Sequence, residues 1–388
     1  MGKALPPFRD DFIDVEALGG IVVLLAAIGA LVWANLATDA YETFWNQSVD
    51  LGLGLVDLDL SRAHWVTDGL MTVFFFVVGL EIKREIVRGE LRNPRTAALP
   101  VVAAIGGMVL PALLFWSINA GEATAKGWAI PMATDIAFAV GVLAILGARV
   151  ARPLKLFLLT LAIVDDIGAI LVIALFYSGG ITFGWLAAAA GVVLLILAMQ
   201  RLGVGTPWAY VVPALAIWLC VEQSGVHATI AGVALGLMTP ARPFGGRAVI
   251  EGLERRLHPW SSFLVVPLFA LANAGVVVDS ETVRRAASSP VAIGVLVGLV
   301  VGKPVGITAA TWLGARAGVG HLPVGVSWRQ VFGVGAVAGI GFTVALFVND
   351  LSFAGPTFDD AVLGILAASL VSGGLGAVIL ATNPSRPT

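Results

Sequence analysis

The chain has 388 residues, of which 58% are hydrophobic and 12% are charged, and its mean hydropathy is +0.94. An ordinary soluble domain carries about 25% charged residues, so this composition excludes a disordered chain, a nucleic-acid-binding protein and most soluble enzymes. The 23 basic and 25 acidic residues give a net charge of −2, which indicates no polyanionic partner. The single Cys220 excludes an internal disulfide and a cysteine-based zinc site.

Twelve mostly apolar segments approach the length of about 20 residues that a helix needs to cross a bilayer. They predict an all-α polytopic membrane protein in which residues 1–388 form a single integral membrane domain. The division between the seventh and eighth segments is the least distinct, because the two are short and nearly continuous. In chain order the predicted spans are Ala17–Thr38, Val66–Ile82, Thr96–Ser117, Gly127–Ala148, Leu156–Tyr177, Ile181–Gln200, Gly205–Val221, Gln223–Pro240, Pro259–Val276, Pro290–Trp312, Gln330–Asn349 and Ala361–Ala381.

The distribution of basic residues supports twelve spans with both termini in the cytoplasm. Cytoplasmic loops of membrane proteins carry an excess of Lys and Arg. With the N-terminus inside, 18 of the 23 basic residues lie in inner segments and four lie in outer ones. A missed or falsely added span would reverse the alternation beyond it. Basic inner loops and the absence of a targeting signal fit a multi-pass protein of the bacterial inner membrane.

One outer connection, residues 39–65, is long enough to have structure of its own. Its segment Leu51–Leu60 alternates apolar and other residues with period two, which predicts a small extracytoplasmic β-hairpin. An exposed apolar hairpin would serve as the contact of a homodimer. A loop packed on its own helices is the alternative interpretation.

Few charges remain inside the predicted spans, and each is costly there. A charge at the bilayer centre costs about 2.5–3.5 kcal/mol on insertion scales, so such residues have a function or pair with one another. Salt bridges that only hold helices together are the structural alternative, but they would not require two adjacent aspartates. The five residues are Asp68, Asp135, Asp165, Asp166 and Lys303.

Asp165 and Asp166 are adjacent near the middle of the fifth span. Two close carboxylates do not both stay ionised without a cation, so one must be protonated, paired or bound to a metal ion. This is the physics of a site at which a proton and a cation compete. Oxygen ligands suit hard cations, so Na⁺ or Li⁺ is the expected guest. An aspartate of this pair is also the expected partner of Lys303, which would otherwise be a buried unpaired charge.

The fourth and eleventh spans contain signals of interruption. Pro131 lies four residues before Asp135, and proline removes a backbone hydrogen bond and obstructs the preceding turn. A simple proline kink is the alternative. The eleventh span contains four glycines before Thr343, at positions 333, 335, 339 and 341. The two spans hold corresponding places in the groups three to five and ten to twelve, which predicts inverted repeats around a midplane site.

Ordered motifs along nearly the whole chain resemble those of the NhaA-type sodium/proton antiporter family. NhaA is itself one of the transporters in which the inverted-repeat pattern is known. The motifs are Phe76-Val-Val-Gly-Leu-Glu-Ile-Lys-Arg-Glu85, Ala133-Thr-Asp-Ile-Ala-Phe138, Val164-Asp-Asp-Ile-Gly168, Ser224-Gly-Val-His-Ala-Thr229, Leu257-His-Pro-Trp260, Pro267-Leu-Phe-Ala270, Asn273-Ala-Gly275, Gly302-Lys-Pro304 and Gly339-Ile-Gly-Phe-Thr343.

The resemblance implies a role for each matching residue. Asp166 would be the main carboxylate for ion and proton, and Asp165 would bind Na⁺ with it and pair with Lys303 in the ion-free state. Thr134 and Asp135 would belong to the break in helix four, and Asp68 would lie near the outer mouth. The residues implied to line an inner funnel linked to pH control are Glu81, Arg84, Glu85, Glu254 and His258.

Two of the residues in or near these motifs, His227 and Glu254, have alternative interpretations. His227 is more typical of a packing or hydrogen-bonding residue than of a direct ligand. Glu254 lies beside Arg255 and Arg256, so an ordinary surface ion pair is as good an interpretation as a role in pH control. Arg255 also stands where some members of the family have another histidine, which affects the expected pH range.

The predicted function is therefore pH-regulated, electrogenic exchange of Na⁺ or Li⁺ for H⁺ by alternating access, without enzymatic activity or a cofactor. The expected partners are Na⁺, Li⁺, H⁺ and the lipid bilayer. A sodium-coupled solute symporter of similar architecture is the alternative. A channel does not need a titratable pair, and an intramembrane aspartyl protease would carry a Gly-x-Gly-Asp motif that this sequence lacks.

Overall fold

The computed structural model describes residues 8–50, 59–241, 248–323 and 325–383, and within them the secondary structure is almost entirely helical. The α-helices are α1 Phe8–Leu36, α2 Thr38–Asn46, α3 Arg62–His64, α4 Met71–Arg88, α5 Pro94–Ile118, α6 Ile136–Leu146, α7 Arg152–Phe176, α8 Phe183–Arg201, α9 Val211–Gln223, α10 Thr229–Met238, α11 Val249–Trp260, α12 Val266–Asn273, α13 Ser280–Ser288, α14 Pro290–Val297, α15 Lys303–Arg316, α16 Trp328–Val337, α17 Phe342–Ser352 and α18 Pro356–Thr382.

Tighter and wider turns continue several of these helices. Wider, π-type turns occupy Trp65–Leu70, Ser261–Val265 and Gly298–Gly302. Tighter, 3₁₀ turns occupy Glu90–Arg92, Ala123–Met132, Gly147–Arg149 and Pro207–Tyr210. Because a change of helical pitch rotates every later side chain, such turns are common at functional sites.

Helices lie at all twelve predicted spans, but not all of them are long and apolar. In the described ranges eight helices have the length and composition to cross a bilayer, or nine if α16 and α17 form one span bent by 50°. The exceptions include α9 with 13 residues and α10 with 10. The chain is thus a multi-pass membrane protein, and the count of twelve stays a prediction.

The ninth predicted span begins earlier than its apolar residues suggest. The helix starts at Val249, rather than at Pro259, and runs through α11, the π turn and α12 to Asn273. Its first part is amphipathic and carries charges, so a search for apolar residues places the start of the span too late along the chain. Proline at position 259 does not stop the helix; it lies two residues before the π turn begins at Ser261.

A small antiparallel ladder forms in the long connection after α2. Strand β1 (Ser48–Asp50) pairs with β2 (Asp59–Ser61), and Val49 lies opposite Leu60. The predicted hairpin rests on alternation across 51–60, of which 51–58 lie outside the described residues. Four of the basic residues that were assigned to inner segments, Lys3, Arg242, Arg247 and Arg386, also lie outside them.

The chain divides into two compact units. The first comprises Met1–Thr38, Asn93–Ala169 and Asn273–Thr388. The second comprises Asp39–Arg92 and Ile170–Ala272. Each unit thus draws on segments far apart in the sequence, and the single transporter domain over 1–388 stays a prediction.

In the first unit, glycines bring α5 and α15 into backbone contact. A Cβ atom added at Gly306 would lie 2.3 Å from the carbonyl oxygen of Gly106, and one at Gly302 would lie 2.9 Å from the Cα of Pro111. Membrane helices associate through small residues that allow such close approach. The core of this unit, with Leu158 and Val334 among its fully buried members, packs beside this crossing.

The second unit uses the same device between α4 and α10. A Cβ atom added at Gly232 would lie 2.2 Å from the carbonyl oxygen of Thr72, and Gly236 packs directly on the backbone of Gly79. A smaller core surrounds Ile217 and Ala231. The high glycine content, 46 residues, therefore has a structural reason in both units.

Candidate functional site

The fourth predicted span is interrupted at the position of the Pro131 signal. The 3₁₀ segment ends at Met132, residues 133–135 are extended, and α6 begins at Ile136. An interruption inside a bilayer leaves backbone groups without helical partners, and each such group is costly unless another part of the protein satisfies it.

The eleventh span is interrupted as well, and its break supplies those partners. Helix α16 ends at Val337, and α17 begins at Phe342. The backbone amide of Asp135 donates to the carbonyl oxygen of Ile340 at 2.6 Å, and the Thr134 hydroxyl lies 2.9 Å from that of Ala338. The two breaks therefore contact and satisfy one another.

Glycine makes this contact possible. A Cβ atom added at Gly341 would lie 3.0 Å from the carbonyl oxygen of Ala133, and one at Gly339 would lie 2.4 Å from that of Leu299. A larger residue at position 341 would push the two breaks apart, and one at position 339 would push the break of the eleventh span away from the π turn Gly298–Gly302.

The carboxylate of Asp135 lies at the N-terminal ends of two helices. Its Oδ1 accepts from the amide of Phe138 at 3.3 Å in the first turn of α6. Its Oδ2 accepts from the amide of Thr343 at 2.9 Å in the first turn of α17, and from the Thr343 hydroxyl. Helix N-termini carry partial positive charge, so a buried carboxylate is stabilised there. Thr343 was absent from the predicted site residues, because its contact depends on the crossing of two distant helices.

An ion pair lies next to this crossing. Lys303, the first residue of α15 after a π turn, donates to Oδ2 of Asp165 on α7, and both side chains have no exposed surface. The Thr134 hydroxyl lies 2.7 Å from the same carboxylate oxygen. The other oxygen, Oδ1, accepts no hydrogen bond from the described residues. The pair that the sequence predicts for Lys303 is therefore made with Asp165.

Asp166 follows Asp165 directly and is also buried, with 8% of its surface exposed. Neighbouring residues of a helix point about 100° apart, so the two carboxylates do not share one direction. With both carboxylates ionised, Asp165, Asp166 and Lys303 together carry a net charge of −1. Burial in an apolar environment makes that charge costly, so a proton or a monovalent cation would be stabilised here.

In the second unit the five residues implied for the inner funnel form one cluster. Arg84 bonds Glu254 and lies 3.3 Å from Glu85, and His258 lies 3.8 Å from Glu81. Glu254 is 1% exposed, and its carboxylate pairs with the guanidinium of Arg84. It is therefore not an ordinary surface ion pair with Arg255 and Arg256.

Two further histidines of the second unit have defined partners. His227 Nε2 lies 2.7 Å from the carbonyl oxygen of Tyr177, which makes it a hydrogen-bonding residue. His64 Nε2 lies 2.8 Å from Asp68 Oδ2 and 3.5 Å from Glu222 Oε1. His64 and Glu222 were not predicted as site residues, although the spacing of four between His64 and Asp68 is a helical-face signal that could have found one of them.

The fold and the first unit's site together define a class of protein. A multi-pass membrane protein whose buried charges lie where two interrupted helices meet has the architecture of a secondary transporter. The sequence model of the family described as Na⁺/H⁺ antiporter 1 matches residues 10–380. The chain belongs to this family, as its motifs predicted.

Curated bacterial relatives cover most of the chain. The Na⁺/H⁺ antiporter NhaA 2 of Erythrobacter litoralis is 45% identical over 380 residues, covering 97% of this chain and 94% of the relative. The Na⁺/H⁺ antiporter NhaA of Oleidesulfovibrio alaskensis is 42% identical over 418 residues, covering 96% and 92%. The NhaA of an Anaeromyxobacter species is 45% identical over 416 residues, covering 96% and 91%.

Proposed function

We propose that this chain exchanges Na⁺ for H⁺ across a membrane by alternating access, with Asp165 and Asp166 as the carboxylates that bind both ions. Membership of the Na⁺/H⁺ antiporter 1 family supports the reaction. One observation carries the assignment of the site: the fully buried pair of Asp165 and Lys303, beside a second buried aspartate. The relatives named above are called Na⁺/H⁺ antiporters, and none of these names describes a sodium-coupled symporter.

The chemistry follows from competition for carboxylate oxygens. Na⁺ is a hard cation that prefers oxygen ligands. The described residues leave Oδ1 of Asp165 without a hydrogen bond, and the Thr134 hydroxyl oxygen lies beside Oδ2. Oδ1 of Asp165 and the Thr134 oxygen can therefore both act as ligands of the ion. Na⁺ arriving here competes with the Lys303 ammonium for Asp165 and with a proton for Asp166. Protonation at the opposite face releases Na⁺ in turn.

Charge counting makes the exchange electrogenic in this proposal. If Asp166 and one further group, either Asp165 or Lys303, each carry a proton in the return step, two H⁺ enter for each Na⁺ that leaves. Li⁺ has the same charge and hardness, so the site accepts it as well. Transport at a rate independent of membrane potential would contradict this stoichiometry.

The remaining assignments extend the proposal to the rest of the chain. The cluster of Arg84, Glu254 and their neighbours sets the pH range of activity, and Asp68 attracts cations at the outer mouth. The protein has twelve spans with inverted repeats at three to five and ten to twelve, lies in the bacterial inner membrane with both termini in the cytoplasm, and dimerises through the connection 39–65. The pairing of Ser48–Asp50 with Asp59–Ser61 supports a structured connection there.

The decisive experiment measures Na⁺-induced proton movement in everted membrane vesicles over a range of pH. Asp166→Asn should abolish the exchange while the protein still inserts. A matched control is Asp360→Asn, because Asp360 is also a buried aspartate but pairs with Arg285 in α13. The control should exchange Na⁺ for H⁺ like the parent when the activity is corrected for the amount of protein in the vesicles.

Two results would overturn the proposal. Normal Na⁺-dependent proton movement by Asp166→Asn would remove Asp166 from the site. Na⁺-dependent uptake of an organic solute without proton movement would favour the symporter instead.

A further inference from the structure

The second unit contains a three-residue cluster that the exchange reaction does not use as a whole. His64 is the last residue of α3, Asp68 lies in the π turn that follows, and Glu222 lies near the end of α9. One possible ligand atom from each residue lies within 4.8 Å of the other two. An imidazole and two carboxylates are thus gathered from two chain segments more than 150 residues apart.

The local structure holds these groups in place. The Asp68 carbonyl oxygen accepts from the Thr72 hydroxyl and, at 3.2 Å, from the indole nitrogen of Trp218. The rings of Trp65 and Trp218 stack with their centroids 5.9 Å apart. The turn that carries Asp68 is therefore fixed against the helix that carries Glu222, and the cluster does not depend on flexible surface side chains alone.

One carboxylate oxygen of the cluster accepts no hydrogen bond from the part of the chain that the structure describes. This oxygen is Oδ1 of Asp68. It is buried, and the whole Asp68 side chain is only 9% exposed. A buried carboxylate oxygen without a donor is costly unless a ligand satisfies it. The side chain of His64 is 43% exposed, so the cluster also has an open side through which an ion and a water molecule can enter.

We propose that His64, Asp68 and Glu222 form a binding site for a transition-metal dication, with Zn²⁺ as the best match. Mixed imidazole and carboxylate ligands suit Zn²⁺, and three protein ligands leave a fourth position for water. In a tetrahedral site with bonds of 2.0–2.2 Å, the ligand atoms lie about 3.4 Å apart. Nε2 of His64 already lies 2.8 Å from Asp68 Oδ2 and 3.5 Å from Glu222 Oε1, so small side-chain movements complete the site.

The positive charge closest in sequence to the cluster, on Arg62, does not oppose a bound cation. The guanidinium of Arg62, two residues before His64, lies over the Phe44 ring at 4.5 Å and donates to the Phe44 carbonyl oxygen. Its side chain is thus engaged outside the cluster. The cluster itself contributes two carboxylates against a single imidazole, which favours a dication over a monovalent ion.

The test is titration of the purified, chelator-treated full chain with ZnCl₂ in a calorimeter, with MgCl₂ as the comparison. One Zn²⁺ should bind per chain and Mg²⁺ should not replace it. His64→Ala and Glu222→Gln should each lower the Zn²⁺ affinity by about tenfold or more, as loss of an outer-shell partner alone already does in metal sites. His321→Ala, which removes an exposed histidine of the first unit, is the matched control and should bind like the parent.

Two further readouts separate a built site from misfolding or another ligand set. Zn²⁺ should raise the melting temperature of the parent but not that of His64→Ala. X-ray absorption should give a shell of nitrogen and oxygen at about 2.0–2.2 Å, without sulfur at about 2.3 Å. The proposal is overturned if the parent binds no Zn²⁺, if both ligand variants bind it like the parent, or if the shell contains the Cys220 sulfur. These results do not depend on Na⁺/H⁺ exchange.

Discussion

Replacing Lys303 by methionine should strongly destabilise the protein, because it removes one partner of a buried ion pair. Lys303 and Asp165 have no exposed surface, so neither water nor salt can compensate the charge that remains. Removal of one partner of such a pair costs about 3–5 kcal/mol. Methionine has a similar length, so little of this cost would come from lost packing. Unfolding of the purified protein in mixed micelles, followed by tryptophan fluorescence, measures the free energy.

A double variant tests whether Lys303 and Asp165 form a charged pair in the folded protein. Replacing both partners of a buried pair by uncharged residues is often neutral or stabilising. Lys303→Met combined with Asp165→Asn should therefore recover most of the stability lost by Lys303→Met alone. The coupling energy of the cycle should be about 3 kcal/mol, the lower end of the cost of an unpaired buried charge. A coupling energy near zero, or a single variant as stable as the parent, would show that the pair does not hold charge in the folded state.

Three further predictions concern the surroundings of the sites. Gly306→Val should destabilise by about 1–3 kcal/mol or more through its clash with Gly106, whereas Gly191→Val, where the added Cβ atom meets nothing within 4 Å, should not; the same unfolding assay decides. Asp279 caps α13 through bonds that lower its pKa, so this stabilisation is present above the ordinary aspartate pKa and is lost as pH falls through the lowered value; hydrogen exchange of residues 280–288 should become fast there, and an Asp279→Ala variant with an unchanged pH profile of exchange would refute it. Glu254→Gln should destabilise the fold by about 1–3 kcal/mol, because the Arg84 guanidinium then loses its buried carboxylate partner, and a variant as stable as the parent in the same unfolding assay would contradict the pairing.

The parts of the site that could be predicted have signals that are local in the sequence. Pro131 and the glycines before Thr343 mark the two interruptions, and charges inside apolar segments mark Asp135, Asp165 and Lys303. These signals need no knowledge of packing, because the bilayer penalises a charge or a broken helix wherever it occurs.

The parts that could not be predicted depend on packing between distant segments. The bond from Thr343 to Asp135 joins residues 208 apart, and no periodicity encodes it. Glu222 reaches His64 across 158 residues in the same way. The early start of α11 was missed for another reason: its charged residues are helical but not apolar, and hydropathy reports only where a helix is apolar.

The contact between the two interrupted helices also constrains the order in which the protein can be made. Asp135 and the other polar groups at this break are synthesised long before residues 338–343, which supply their hydrogen-bond partners. At roughly 5–20 residues per second, the ribosome needs roughly 10–40 s after Asp135 to add the 208 residues that end with Thr343. Throughout that interval the polar groups at the break of the fourth span need temporary partners, which the translocon, water or another helix can supply. Biogenesis of this protein therefore includes a waiting period that ends only when the eleventh span arrives.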